Sequence, residues 1–168
     1  LVVPYFQPIY LLEDAQLYGV EILTRPQTTG TLLNPEILFE AALQYGLYAE
    51  LEVLSWSLAL NSIASSLAHE KVFLNCNPYF IETAQFVRVR AMLEKNHINP
   101  QNVVLEITER SAITDFKIFY EQMNAYREFG FRFAVDDVGG GYASLEAIIE
   151  TKPEIVKIDR QIIKNVNR

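Results

Sequence analysis

Cysteine occurs once in these 168 residues, at Cys76. One thiol excludes an intradomain disulfide and a thiolate zinc site, and it fits a reducing compartment. Histidine is nearly as scarce, with only His69 and His97. His69 follows a helical pattern and reads as a polar C-terminal residue, and His97 falls in a turn, so neither is a candidate ligand. No apolar run is long enough to span a bilayer. Runs of basic residues are missing as well. The 14 basic residues stand against 21 acidic ones, for a net charge of −7. That balance weighs against polymeric nucleic acid as a partner, because nothing is there to neutralise a phosphate backbone. A small phosphate ligand stays open if metal ions or one placed Arg supply the attraction. What the chain has is apolar mass, 50% hydrophobic residues, enough for the core of a single domain. The expected location is cytoplasmic. The chain begins at Leu1 rather than Met, so a targeting peptide or membrane anchor upstream is left open.

The pattern along the chain alternates between strands and helices. Residues 2–12 and 17–25 read as two strands around a Glu13-Asp14 turn. Asn34-Pro35 has the form of a helix start, with Ile37, Leu38, Ala41, Ala42 and Tyr45 at helical spacing and Gly46 as the stop. A longer helix is expected over 48–68, with Leu51, Leu54, Leu58 and Ile63 as its inner stripe. Strand 71–75 follows, then a segment capped by Asn77-Pro78 and a helix over 86–96. A buried strand over 103–109, a helix over 115–129 closed by Gly130, and a strand over 131–136 come next. A short helix over 143–149, a strand over 154–159 and a helix from Gln161 onward complete the pattern. Strands alternating with helices predict a parallel sheet with helical crossovers after the initial hairpin.

Polar residues then fall where these strands end. Period-two alternation puts Glu21, Leu23 and Arg25 on one face of their strand, and Lys157 and Asp159 on one face of theirs. Asn75 ends its strand, and Glu106 interrupts an apolar run where an ionised carboxylate is expensive unless it is paired, protonated or metal-bound. Phe133-Ala134-Val135 leads into Asp136-Asp137, followed by Gly139, Gly140 and Gly141. Adjacent strand residues point to opposite faces, so the two aspartates converge only if the glycines let the backbone turn. Taken singly, each feature has a bland explanation: a solvated turn with an Asp cap, an edge-strand ion pair between Glu21 and Arg25, a structural ion pair at Lys157. Taken together, Glu21, Asn75, Glu106, Asp136 and Lys157 mark the C-terminal ends of successive strands. In a closed barrel these ends share one mouth, whereas in an open doubly wound sheet they lie along a line. The barrel is preferred. An all-oxygen ligand set suits magnesium or manganese, and Asp136 with Asp137 would bridge two ions for in-line phosphoryl displacement. Arg25 is placed to hold a phosphate in bidentate fashion.

These residues resemble the ordered motifs of the EAL-domain family. The resemblance rests on Glu21-Ile22-Leu23-Thr24-Arg25, Asn75, Leu105-Glu106-Ile107-Thr108-Glu109, Asp136-Asp137-Val138-Gly139-Gly140-Gly141-Tyr142 and Lys157-Ile158-Asp159, and it covers the whole chain. It implies a bacterial phosphodiesterase that opens cyclic di-GMP to linear pGpG, on an α/β TIM-like barrel with an antiparallel first strand. By position, Glu21, Asn75, Glu106 and Asp136 would hold one Mg2+ or Mn2+ ion. Asp136 and Asp137 would hold the second, with Lys157 near the attacking water. Gln7, Leu23 and Arg25 would line the dinucleotide pocket, and Glu109 would brace the loop after the Asp pair.

Three positions depart from the family pattern: Ile22 replaces Ala, Val138 replaces Phe, and Gly140 replaces Thr. Residues 1–168 are expected to be the N-terminal two thirds of a barrel of about 250 residues, incomplete at the C-terminus and inactive alone. The missing part would carry a further glutamate for the second metal. A homodimer and other signalling domains in the full-length protein are compatible with this reading. Two other functions stay open: a catalytically silent domain that binds cyclic di-GMP or a partner, and an unrelated barrel enzyme of phosphate chemistry.

Overall fold

A computed structural model of the chain describes residues 2–64, 66, 70–108, 113, 115–139, 148, 149 and 151–164. Strand β1 (Val2–Tyr10) pairs antiparallel with β2 (Leu17–Pro26), and Gln7 stands opposite Glu21. The first strand stops at Tyr10, two residues short of the expected end. Leu11 already belongs to the turn, its carbonyl accepting the Ala15 N–H at 3.0 Å. Helix α1 (Pro35–Gln44) starts as its sequence predicts: the Asn34 side chain accepts the Glu36 N–H at 2.8 Å and Pro35 takes a first-turn position.

Helix α2 (Tyr48–Ile63) differs from expectation in phase. Its buried residues are Tyr48, Glu52, Ser55, Trp56, Ala59, Leu60 and Ile63, while Leu54 of the expected stripe is exposed. The segment is apolar on nearly all sides, so periodicity alone does not select the inner face. The bulk of Trp56 and the smallness of Ala59 and Ser55 suit the side that meets the sheet.

From there the chain alternates. Strand β3 (Lys71–Cys76) leads to α3 (Pro78–Glu82) and α4 (Phe86–Lys95), β4 (Val103–Thr108) to α5 (Phe116–Phe129), and β5 (Arg132–Val138) to β6 (Ile155–Ile158) and α6 (Arg160–Ile163). The six strands form one sheet in chain order, and every pair after the first is parallel. The helix expected over 143–149 lies mostly outside the described residues, as do His69 and the end of the last helix.

Both faces of the parallel strands are covered, which explains their nearly continuous apolar runs. Val72, Leu74 and Cys76 of β3, Leu105 and Ile107 of β4 and Phe133 of β5 face the helices, packing with Trp56, Leu60, Phe80, Phe119 and Tyr126. Phe73, Val104 and Ala134 face the other way, with Ile9 and Ile155 against them.

One cluster sets the entry of β6. Arg127 on α5 donates to the carbonyls of Thr151 at 2.6 Å and Lys152 at 2.9 Å and pairs with Glu154 at 3.2 Å. The other oxygen of Glu154 accepts the Phe133 N–H at 2.8 Å. One guanidinium thus ties the chain ahead of β6 to the start of β5.

Candidate metal centre at the strand ends

The second, smaller core cluster is the floor of the site. Two residues beyond each of its members, on the same face, comes a polar side chain: Asn75 after Phe73, Glu106 after Val104, Asp136 after Ala134, Lys157 after Ile155. In the parallel register Asn75 pairs with Glu106, whereas Glu21 pairs with Phe73 and Glu106 with Ala134, so the polar side chains step along the strands from neighbour to neighbour. Period-two patterning on the four strands β3 to β6 therefore puts apolar residues one step beneath polar ones near the C-terminal ends.

The polar layer converges on Lys157. Its Nζ lies 3.0 Å from Glu21 Oε2, 2.7 Å from Glu106 Oε1 and 3.2 Å from Asp136 Oδ1. Burial alone would lower the Lys157 pKa, but the carboxylate of Glu106, helped by Asp136 and Glu21, overrides it and holds the ammonium charged. Glu106 is wholly buried, and neither of its oxygens has a hydrogen bond of good geometry, so it is held by charge. Burial pushes its pKa up to about 8 against the pull of Lys157, with Glu21 and Asp136 adding to the push.

These residues fit a divalent cation. One oxygen each from Glu21, Glu106 and Asp136 lies within 4.8 Å of the others. With Glu106 ionised, three carboxylates against one ammonium leave two formal negative charges, and the ammonium already stands where positive charge is wanted. Oxygen donors are the set that hard divalent ions prefer, and the unsatisfied oxygens of Glu106 are what such an ion would satisfy.

Asp137, expected with Asp136 at a second ion, is not one of the three carboxylates of this group. Strand β5 continues through the pair to Val138, with a register shift between Val135 and Val138. The turn comes at Asp137 itself, at a φ of 55°, and its side chain is exposed. Asp159 shares parity with Lys157, but its carboxylate caps α6, accepting the Gln161 N–H at 2.6 Å. Glu109 and Gly140 lie outside the described residues.

A cavity of about 580 Å³ opens between the ends of β2 and β3 and helices α1 and α2, and of the expected ligands Asn75 lines it. Leu23, Arg25, Phe39, Trp56 and Asn75 are among its walls. Arg25 is half-buried and donates to the Thr24 carbonyl at 3.1 Å. Gln7 is exposed on β1, across from Glu21. Two further polar groups in the cavity wall, Tyr48 and Glu52, were not singled out as functional by the sequence pattern. Only the position of Glu52 four residues after Tyr48, on one helix face, signalled them.

A sequence model of the EAL domain matches residues 1–168. The chain belongs to the EAL-domain family. It is 30% identical over 168 residues to the cyclic di-GMP phosphodiesterase PdeA of Borreliella burgdorferi, covering 97% of this chain and 25% of that protein. Among solved structures it resembles the PaMucR phosphodiesterase in complex with c-di-GMP, at 25% identity and a TM-score of 0.80, over 98% of this chain and 72% of that one. It also resembles the Bacillus subtilis YkuI protein in complex with c-di-GMP and calcium, at 26% identity and a TM-score of 0.76, over 99% of this chain and 46% of that one. The fold is thus that of the EAL domains, a TIM-like barrel of which the described residues form six strands, the first antiparallel. The chain spans only 25% of PdeA, so it corresponds to one part of a larger relative.

Proposed function

We propose that this EAL domain serves, in the complete protein, the metal-dependent hydrolysis of cyclic di-GMP to linear pGpG in bacterial second-messenger signalling. The observation that carries this is the buried group of Glu21, Glu106 and Asp136 around Lys157 at the strand ends. The names of PdeA, PaMucR and YkuI, as a phosphodiesterase or as complexes with c-di-GMP, support the choice of ligand. Residues 1–168 are read as the N-terminal two thirds of the domain, working in the cytoplasm. No helix among the described residues is long and apolar enough to cross a membrane.

Glu21, Asn75, Glu106 and Asp136 hold a first Mg2+ or Mn2+ ion, and Asp136 with Asp137 a second. When bound, the ions polarise the phosphoryl oxygens and lower the pKa of the attacking water. Lys157, kept charged by its three carboxylate neighbours, orients that water by donating a hydrogen bond. Arg25 grips a phosphate, Gln7 and Leu23 flank the dinucleotide, and Glu109 braces the loop after the Asp pair. Water adds across one phosphodiester bond and the ring opens.

In the full-length protein with Mn2+, Asp136→Asn is expected to abolish pGpG formation, read by chromatography. Arg25→Ala is expected to weaken cyclic di-GMP binding by more than tenfold, about 1.4 kcal/mol. Unchanged affinity in titration calorimetry removes Arg25 from the site.

The departures from the family pattern at Val138 and Gly140, after the Asp pair, favour a second reading, a catalytically silent receptor for the same nucleotide. Wild-type protein that binds cyclic di-GMP yet forms no pGpG with Mg2+ or Mn2+ selects the receptor. Replacing Val138 with Phe and Gly140 with Thr then tests whether the loop alone silences it.

A further inference from the structure

Lys157 reaches the carboxylates from the shortest of the described strands. Among them β6 pairs only with β5, and that ladder is interrupted beside the site. Val135 pairs with Val156 and Val138 with Ile158, so Asp136 and Asp137 together stand opposite Lys157. Two residues against one leave a residue unpaired and weaken the hold of the ladder on register. A slip of one residue would turn Lys157 to the opposite face, away from Glu21, Glu106 and Asp136.

One residue ahead of the strand, Glu154 pins that register twice. Its N–H donates to the Phe133 carbonyl at 3.1 Å, and its Oε2 accepts the Phe133 N–H at 2.8 Å. Phe133 is fully buried, so its N–H needs a partner. Slipped by one, the chain would offer Pro153 or Ile155 there, and neither side chain accepts a hydrogen bond. Arg127 holds the carboxylate in turn. Its Nε meets Oε1 at 3.2 Å, its Nη2 donates to the Thr151 and Lys152 carbonyls, and its guanidinium carbon lies 5.1 Å from the centre of the Phe133 ring. Lys152 is left-handed at a φ of 44°, which a non-glycine residue keeps only where its surroundings impose it. Both members of the ion pair are partly exposed, so the pair itself adds little stability. What it supplies is register.

We propose that Glu154, clamped by Arg127, is a positioning residue for the carboxylate centre: it registers β6 on β5 so that Lys157 stands among Glu21, Glu106 and Asp136. The part Lys157 plays in turnover rests on the function proposed above, whereas its placement does not.

The test treats metal-free full-length protein with an amine-reactive reagent and compares labelling of Lys157 and Lys71 by peptide mass spectrometry. Lys71 starts β3 at the other end of the sheet, bonded to the Gln101 carbonyl and the Asn102 side chain, and it reports any general loosening. Glu154→Ala is expected to speed Lys157 labelling several-fold and to leave Lys71 unchanged. Glu154→Gln keeps an acceptor for the Phe133 N–H and is expected to stay within about twofold of wild type. Wild-type labelling of Lys157 in Glu154→Ala, equal acceleration of Lys71, or a Gln variant as fast as the Ala one overturns the proposal. Should Glu154→Ala fail to fold, Arg127→Lys decides. It keeps the charge but loses the fork that reaches both carbonyls and the carboxylate, so Lys157 labelling is expected to rise, and wild-type rates overturn the proposal. With Mn2+ and cyclic di-GMP, Glu154→Ala is expected to lower kcat by about tenfold or more, because a displaced group loses its alignment, and a wild-type kcat overturns the positioning role. A wild type that forms no pGpG overturns the proposed function instead, and the labelling of metal-free protein then decides this proposal by itself.

Discussion

Two carboxyl groups with raised pKa values and one lysine set the chemistry of the chain, and each makes its own prediction. Glu52 has an ordinary value of 4.5 and is pushed up to about 8 by burial in the folded protein. The folded state thus holds a proton that the unfolded state releases. Its contribution to stability is fully present below pH 4.5 and is lost as the pH rises through about 8. Glu106 acts with the same sign. The melting temperature is expected to fall between pH 6 and pH 9, and Glu52→Gln is expected to flatten part of that fall. Parallel melting curves of the two proteins across this range count against a protonated Glu52. Lys157 balances the opposite problem. Lys157→Met leaves Glu21, Glu106 and Asp136 crowded without a cation, and breaking a buried pair of this kind costs about 3 kcal/mol. Added Mn2+ is expected to restore much of that loss, because the ion replaces the missing positive charge. A thermal shift equal for variant and wild type opposes this account.

At the scale of the element, helix ends and strand faces were written locally, whereas helix faces and backbone turns were not. Helix α5 begins at Asp115, whose carboxylate accepts the Ile118 N–H at 3.0 Å, and stops at Gly130, which adopts a φ of 119°. Both signals are visible as residue types at the right spacing. Asp115→Ala is expected to cost about 1 kcal/mol. For a chain of this size that is about 2–4 °C in melting temperature, measurable by calorimetry, and no shift would remove the cap from the account. The face of α2 was not legible, because its sequence is apolar on almost every side. Glu52 looks like a solvated helix residue until the sheet is placed against its face of α2. The strand ends were more transparent. Glu21, Glu106, Asp136 and Lys157 were separable by period-two counting, and three of them meet only through the ammonium of the fourth. What counting did not show is the backbone at Asp137, where the register of β5 shifts and φ is 55°. Gly139 beside it has a φ of 103°, and a Cβ there would run into the Ile162 side chain, a contact that no local pattern reveals.

For the molecule as a whole, the sheet has two edges among its described strands, β1 and β6, and both carry apolar side chains in the open. Tyr5 is 57% exposed and Phe6 42% on one edge, with Val156 at 43% and Ile158 at 56% on the other. Unpaired strand edges with apolar side chains are templates for pairing with another chain, and in a closed barrel they would not exist. The charge of −7 opposes association in general, but repulsion spread over the surface does not block an edge. Residues 1–168 prepared alone are therefore expected to self-associate with rising concentration. Ile158→Lys would put a charge on the β6 edge and should suppress the association without touching Lys157, which lies on the opposite face of the strand. Sedimentation of the isolated chain as a single monomeric species over a wide concentration range would show that the edges are already protected. If the association persists unchanged in Ile158→Lys, the β6 edge is not its cause, and β1 with Tyr5 and Phe6 is the edge to charge next.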